Sequence, residues 1–460
     1  MAHSHERSVL HELASFAQSV AAKARAYCDD VEVLVLRRDA VSFALENRNL
    51  MPELKLGRLQ VGLRALKDGS LAVAATTSPS VEENLAALKA ALAAVRPARL
   101  PGFSAHRLGL STRGFDESLL RFMREPGALQ ELAVEVRNRA FAAAAACPHV
   151  DGIEGSLVAQ TRYVAIATGQ GAGASLENAV AVGIAVNSAR VENEVLRSWP
   201  ADDSRVRDVG ARAVRAFPAA RVTPGELSLG PADAVSALLG PDLVESLLRY
   251  PAHDKFLASS FLTGQSKFEV GELIADPRLT LFDTGRPAEL ACDFDDELSP
   301  RSHTALIDRG RFGGYVTSRA SAKRTGLPET GNGARYPVQA EELTEAPVRD
   351  KLLGLAMEPG KRPFEAMVAG LERGIIVRSL MGIHGADRAR TAFSATVADG
   401  VAVRGGRVVG QLAPGRWNVS GRMLPGDGER GLLEAAEPSA ELTSTGSALL
   451  PYLAVTLTAG

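Results

Sequence analysis

A chain of 460 residues is too long for one ordinary hydrophobic core, and with 46% apolar and 23% charged residues it has the composition of a globular protein of two or three domains. Its 52 basic and 54 acidic residues are spread along the whole length and leave a net charge of -2, so there is no global positive field to gather nucleic acid or an anionic membrane. Cys28, Cys147 and Cys292 are far apart and odd in number, which excludes a disulfide framework and suggests buried thiols. The start of the chain has no apolar stretch behind a basic one, and no window offers about 18 consecutive apolar residues, so a cytoplasmic protein is expected.

Apolar residues from Val9 to Ala24 recur at helical spacing. His3, His5 and His11 sit too near a free end to make a convincing metal site. Strands are expected at Val31 to Leu36, Ser42 to Leu45, Leu59 to Leu63 and Leu71 to Ala75, the last two joined by a tight turn at Lys67-Asp68-Gly69-Ser70. Ser80 and Glu83 form a capping box for a helix striped by Val81, Leu85, Leu88 and Leu92. A similar order then recurs: a helix at Ala128 to Ala146, strands at Ile153 to Ala159, Tyr163 to Thr168, Ala179 to Val186 and Ala189 to Arg197, and a helix through Val206 to Phe217. The glycine-rich Gly169 to Gly173 lacks the Lys-Ser/Thr of a phosphate loop and reads as a hairpin turn. The fold class is α+β: residues 1–223 form an N-terminal domain of duplicated helix-strands-helix units, and residues 224–460 a β-rich C-terminal domain with a few helices.

In the second half one helix is expected from Pro231 to Leu248, bent at Gly240-Pro241, and another from Pro363 to Arg373. Strands are expected at Leu279 to Phe282, Thr304 to Ile307, Ile375 to Leu380, Phe393 to Val397, Val401 to Val403, Arg407 to Val409 and Leu453 to Thr456, with a hairpin turn near Asp399-Gly400 and Gly405-Gly406. The acidic run Asp293, Asp295, Asp296 and Glu297 lacks the spacing of an EF-hand loop and reads as a solvated turn.

The run Gly374 to His384, leading into Phe393-Ser394, together with Ser260-Phe261-Leu262, Gly271-Glu272, Phe294 to Glu297, Thr304 to Gly310, Tyr315 and Thr330 to Arg335, resembles the TldD/PmbA family. In that family a metalloprotease subunit carrying a helical His-Glu-x-x-x-His zinc motif pairs with a related subunit. No such motif occurs among the eight histidines here, and the region that would match the zinc helix, Ala232 to Leu248, offers only Asp233, Asp242 and Glu245. The resemblance is therefore to the PmbA (TldE)-like subunit. It implies no metal ligands and no catalytic residues in this chain, zinc in a TldD-like metalloprotease partner, an unfolded peptide as substrate, and a homodimer when the partner is missing. The residues expected to face substrate or partner are His384, Asp387, Ser394 and Asn332. This chain departs from the family pattern after His384, where Asp387 and Thr391-Ala392 stand in place of Asn and Gly-Asp. The competing reading is a stand-alone hydrolase with a rearranged site built from His303, His384, Asp295 and Glu297. A nucleic-acid or gyrase modulator rests only on the family's older naming, and the balanced charge opposes it.

Overall fold

The computed structural model describes residues 2–97, 102–125, 127–187, 190–230, 232–287, 290, 292–335, 347–413 and 415–460. The N-terminal half is built on two long antiparallel hairpins. Asp30–Glu46 pairs with Asn49–Lys67, Ile153–Thr168 pairs with Ala172–Val186, and the first strand of each hairpin pairs with the other from Glu32↔Thr168 to Glu46↔Glu154. Ser70–Thr76 and Arg190–Leu196 extend the sheet, and Arg107–Gly114 runs parallel to Ala172–Val186. The turn at Asp68 and Gly69 has positive φ at both residues, 49° and 71°, as a two-residue hairpin demands.

Strand alternation explains how this sheet is covered. Val31, Val33 and Val35 pack under the helices Ala2–Ala24 and Val81–Leu92, while Leu34 and Leu36 on the opposite face join Phe294 and Leu298 of the C-terminal half. A strand covered on both faces reads as an unbroken apolar run. The other hairpin is covered in the same way by Ala128–Ala144 and Val209–Arg215, through Leu132, Val136, Val209 and Val214.

Several expected boundaries change. Val31 to Leu36 and Ser42 to Leu45 are one strand, as are Ile153 to Ala159 and Tyr163 to Thr168, because the ladder continues through the polar residues between them, as at Asp39↔Gly57 and Gln160↔Ala179. The late helix splits into Ser204–Arg207 and Val209–Arg215 around Asp208. Helix, strands and helix do follow one another twice in the chain.

The C-terminal half contains a closed ring of strands: Ala234–Leu239, Leu453–Ala459, Asn418–Arg422, Ala392–Arg404 and Arg373–Met381, which returns to pair with Ala234–Leu239. Val235, Ala237, Ile375, Val377, Phe393 and Val455 belong to its large core. Leu238, Ile376, Val401 and Val403 face the other way, under the short helix Phe364–Ala369. Arg221–Val222 is drawn into this sheet beside Gln411–Leu412. A second sheet is centred on Leu281–Asp283, between Thr304–Asp308 and Leu355–Met357.

Two expectations are corrected here. The single helix from Pro231 to Leu248 is a strand, Ala234–Leu239, followed by a helix, Pro241–Arg249; Pro231 itself lies outside the described residues. Gly240 is extended and Pro241 opens the helix, where its missing N–H costs nothing. Asp399-Gly400 is not a turn but strand interior: a Cβ on Gly400 would lie 2.6 Å from the Ile376 carbonyl oxygen, so glycine allows the close approach.

Candidate functional site

The sheet face carrying Leu34 and Leu36 also carries Glu32, and there the two halves of the chain meet through buried ions. Glu32 and Arg64 are cross-strand partners joined by two hydrogen bonds of 2.8 and 2.7 Å. Arg335 donates to the same carboxylate from the C-terminal half, and Arg64 reaches Glu297 at 3.4 Å. Glu297 also accepts the Arg319 N–H at 3.0 Å. Burial works against the charge of Glu32, yet Arg64 and Arg335 hold its carboxyl below the usual glutamate range. Asp295 accepts the N–H groups of Glu297 and Ser299 at 2.9 Å each and that of Gly333 at 2.6 Å. Burial and the neighbouring Glu297 push its carboxyl well up, against the pull of those donors. Burial likewise pushes Glu297 up, with Arg64 opposing.

The expectation of a solvated acidic turn is therefore overturned. Asp295 and Glu297 are 3% and 5% exposed, enclosed where the halves meet. Gly333 permits this, since a Cβ there would sit 2.4 Å from Glu297 Oε2.

Beside this junction lies an open cleft of about 670 Å³. Its floor is the strand pair Gly333–Arg335 and Val348–Asp350 with the following Lys351 to Leu353; its walls are Arg249 to Asp254 and Leu257 to Ser260, with Arg388 among its lining residues. Buried carboxylates fix these walls. Asp350 accepts the N–H groups of Ser259 (2.7 Å) and Ser318 (2.8 Å) and the Ser321 hydroxyl (2.7 Å). Glu245 accepts from Arg249 at 2.6 Å, from Ser447 at 2.5 Å and from Thr445. Against its burial, Arg249 and the two hydroxyls keep Glu245 below the glutamate range. At the rim, Tyr250 donates to the His384 carbonyl at 2.8 Å, and Arg388 pairs with Asp254 at 2.5 Å. A smaller cavity of about 350 Å³ lies between the two halves, and Ala334, Lys351, Leu353 and Ser447 line both spaces.

The residues singled out from sequence fall in separate settings. His303 stacks on Phe282 at 4.2 Å and contacts Thr284 Oγ1 at 3.0 Å; burial and then Arg286 lower its pKa, which favours neutral imidazole. His384 is exposed on a turn, its ring edge-on to Tyr250 at 5.2 Å. Asp387 is exposed and closes the same loop through two backbone bonds with Ala392. Ser394 is exposed on the barrel opposite Ser420. Asn332 is fully buried, and its amide donates to Asp283 and to the Lys351 carbonyl at 2.8 Å each, so its contacts are internal. Among the described residues no three His, Cys, Asp or Glu side chains gather as a metal-holding group. The Gly169 to Gly173 stretch is a turn closed by Thr168, whose hydroxyl accepts the Gly171 N–H at 2.7 Å.

Sequence reading missed Tyr250, Asp350, Arg388 and the Glu32–Arg64–Arg335 group. Only Glu32 left a trace, a charge inside the apolar run Val31 to Leu36.

Residues 232–454 match the model of the PmbA/TldA metallopeptidase C-terminal domain. The C-terminal half of the chain belongs to the TldD/PmbA family. A curated relative, the metalloprotease TldD homolog of Haemophilus influenzae, is 30% identical over 121 residues; the match covers 25% of this chain and 23% of that protein, well short of its length. Among solved structures, TldE from Thermococcus kodakarensis aligns over 96% of this chain and 99% of its own, with a TM-score of 0.77 and 20% identity. A proposed modulator of a DNA gyrase from Thermotoga maritima aligns over 97% and 99%, with a TM-score of 0.77 and 18% identity. At these identities the likeness is one of fold, and it covers both halves of the family member.

Proposed function

We propose that this chain is the non-catalytic, PmbA (TldE)-like subunit of a cytoplasmic TldD-type metallopeptidase, and that its cleft shapes the site where a zinc-bearing, TldD-like partner cleaves unfolded peptides. The observation that carries this reading is the helix Pro241–Arg249 at the cleft wall. It holds no histidine, and Glu245 is committed to Arg249, Thr445 and Ser447. Zinc peptidase chemistry needs imidazole ligands about one turn apart, with an open coordination position for water. An open cleft floored by strands suits an extended peptide, because main-chain hydrogen bonding tolerates varied side chains. In this reading the two N-terminal units arose by duplication, and the loop Gly382 to Phe393, largely exposed before its buried end at Thr391 and Phe393, lies near the partner. No helix among the described residues is long and apolar enough to cross a membrane.

The test is co-purification with a TldD-like candidate, followed by elemental analysis and peptide cleavage. The expected result is no stoichiometric zinc in this chain, and cleavage only by the mixture, abolished by replacing the partner's motif glutamate. Cleavage by this chain alone at the rate of the mixture, or about one zinc per chain lost on His303→Ala or His384→Ala, would establish the stand-alone hydrolase instead.

A further inference from the structure

The charges lining the cleft are not evenly neutralised. Its acidic groups are committed: Asp254 to Arg388 and, at 3.2 Å, to His253; Asp350 to three donors of its own domain. Arg249 is balanced by Glu245. Arg349 is different. It alternates with buried Asp350 on the Val348–Asp350 strand, so its side chain stands on the exposed side of the cleft floor, and it has no ion-pair partner among the described residues. Lys351 follows it at the neck between cleft and interdomain cavity, on backbone fixed by reciprocal bonds with Asn332 of 3.0 and 2.8 Å.

We propose that Arg349 and Lys351 form a carboxylate-binding subsite that anchors one end of a peptide lying in the cleft. The fork of a guanidinium matches a carboxylate with two parallel hydrogen bonds, and an ammonium adds a compact point charge beside it. Burial and then Arg249 hold Lys351 below the ordinary lysine range, with Asp296 opposing. Beyond the neck, Arg162 and Arg197 are already paired with Glu177 and Arg301 with Asp283, so the cations left for a ligand are those of the cleft itself. This inference rests on the peptide-binding reading above and adds which chemical group of the peptide is recognised.

The test uses the full chain and a short unfolded peptide carrying a neutral coumarin at its N-terminus, in three forms: free C-terminal acid, C-terminal amide, and amide with one Asp near the end. Fluorescence anisotropy at constant salt should show the free acid binding about tenfold more tightly than the amide, as expected for a charge-assisted bond. The Asp-bearing amide tells a terminal from a side-chain carboxylate: recovery of affinity shows that either is accepted, and no recovery restricts the subsite to the terminus. Arg349→Gln and Lys351→Gln should each narrow the gap between acid and amide, while Arg311→Gln, outside the cleft, should not. Because the three peptides are compared on unaltered protein, a misfolded variant does not decide the result. Equal binding of acid and amide, or no binding of either, overturns the subsite. If the mixed complex cleaves peptides but acid and amide bind equally, the subunit reading stands and this inference fails. If the acid preference is present but the mixture is inactive, the reverse holds.

Discussion

Glu32 shows how one side chain can couple two halves of a protein. Its charge is completely buried, and both its oxygens are bonded to Arg64, with Arg335 adding a third bond from the C-terminal half. Removing one member of such a group strands the others without solvent. Glu32→Gln should therefore lower stability by about 3–5 kcal/mol, read as a shift in urea midpoint at neutral pH. Because Arg64 and Arg335 depress the folded pKa of Glu32, its contribution is present above the unfolded value of about 4.3 and lost as pH falls through the folded pKa. The gap between wild type and Glu32→Gln should thus shrink at acid pH; a gap that stays constant down to about pH 3 would contradict this account.

Among the elements, the strand Ala392–Arg404 is the one on which the barrel closes, since it pairs with Arg373–Met381 on one edge and with Asn418–Arg422 and Arg407–Leu412 on the other. Gly400 lets it pass the Ile376 carbonyl, and Asp399 beside it is held by Arg378 at 2.7 Å. Gly400→Ala should cost about 1–3 kcal/mol by overpacking, whereas Gly382→Ala, with open space around its Cβ, should cost about 1 kcal/mol for its positive φ alone. Thermal melts of the two variants would order them, and equal losses would refute the close-contact explanation. Ala234–Leu239 and its helix teach a related lesson: Val235 to Leu239 read as part of a helical stripe, because a short apolar run fits helix and buried strand equally well. The sheet on either side decided the matter.

At the scale of the whole molecule, the ion group and the packing of Leu34, Leu36, Phe294 and Leu298 join the two halves. Global unfolding should be a single cooperative transition in wild type and separate into two in Arg335→Met, which removes the arm from the C-terminal half. Calorimetry would show one endotherm against two; a single endotherm in both would show that apolar packing suffices for coupling. Net charge near neutrality also predicts weak duplex DNA binding at about 150 mM salt, since tight complexes neutralise many phosphates. Submicromolar affinity with a steep salt slope in a titration would restore the nucleic-acid reading.

The sequence by itself determined much that depends on short-range pattern. The helix Val81–Leu92 with its Ser80 cap, the Asp68-Gly69 turn, the helix Ala128–Ala144 and the strand Arg373–Met381 were all legible from neighbours within a few residues. So was the family, since ordered landmarks survive where overall identity is low. The tertiary structure alone decided what the charges do. Asp295 and Glu297 look like a surface turn in sequence, because nothing near them shows that Arg64, 233 residues away, lies against Glu297. The competing reading put His303 and His384 in one site, yet one stacks on Phe282 and the other lies edge-on to Tyr250. A side chain's burial and partners are set by residues remote in the chain, so the cleft, its exposed Arg349 and the buried latch became visible only once the sheets had brought them together.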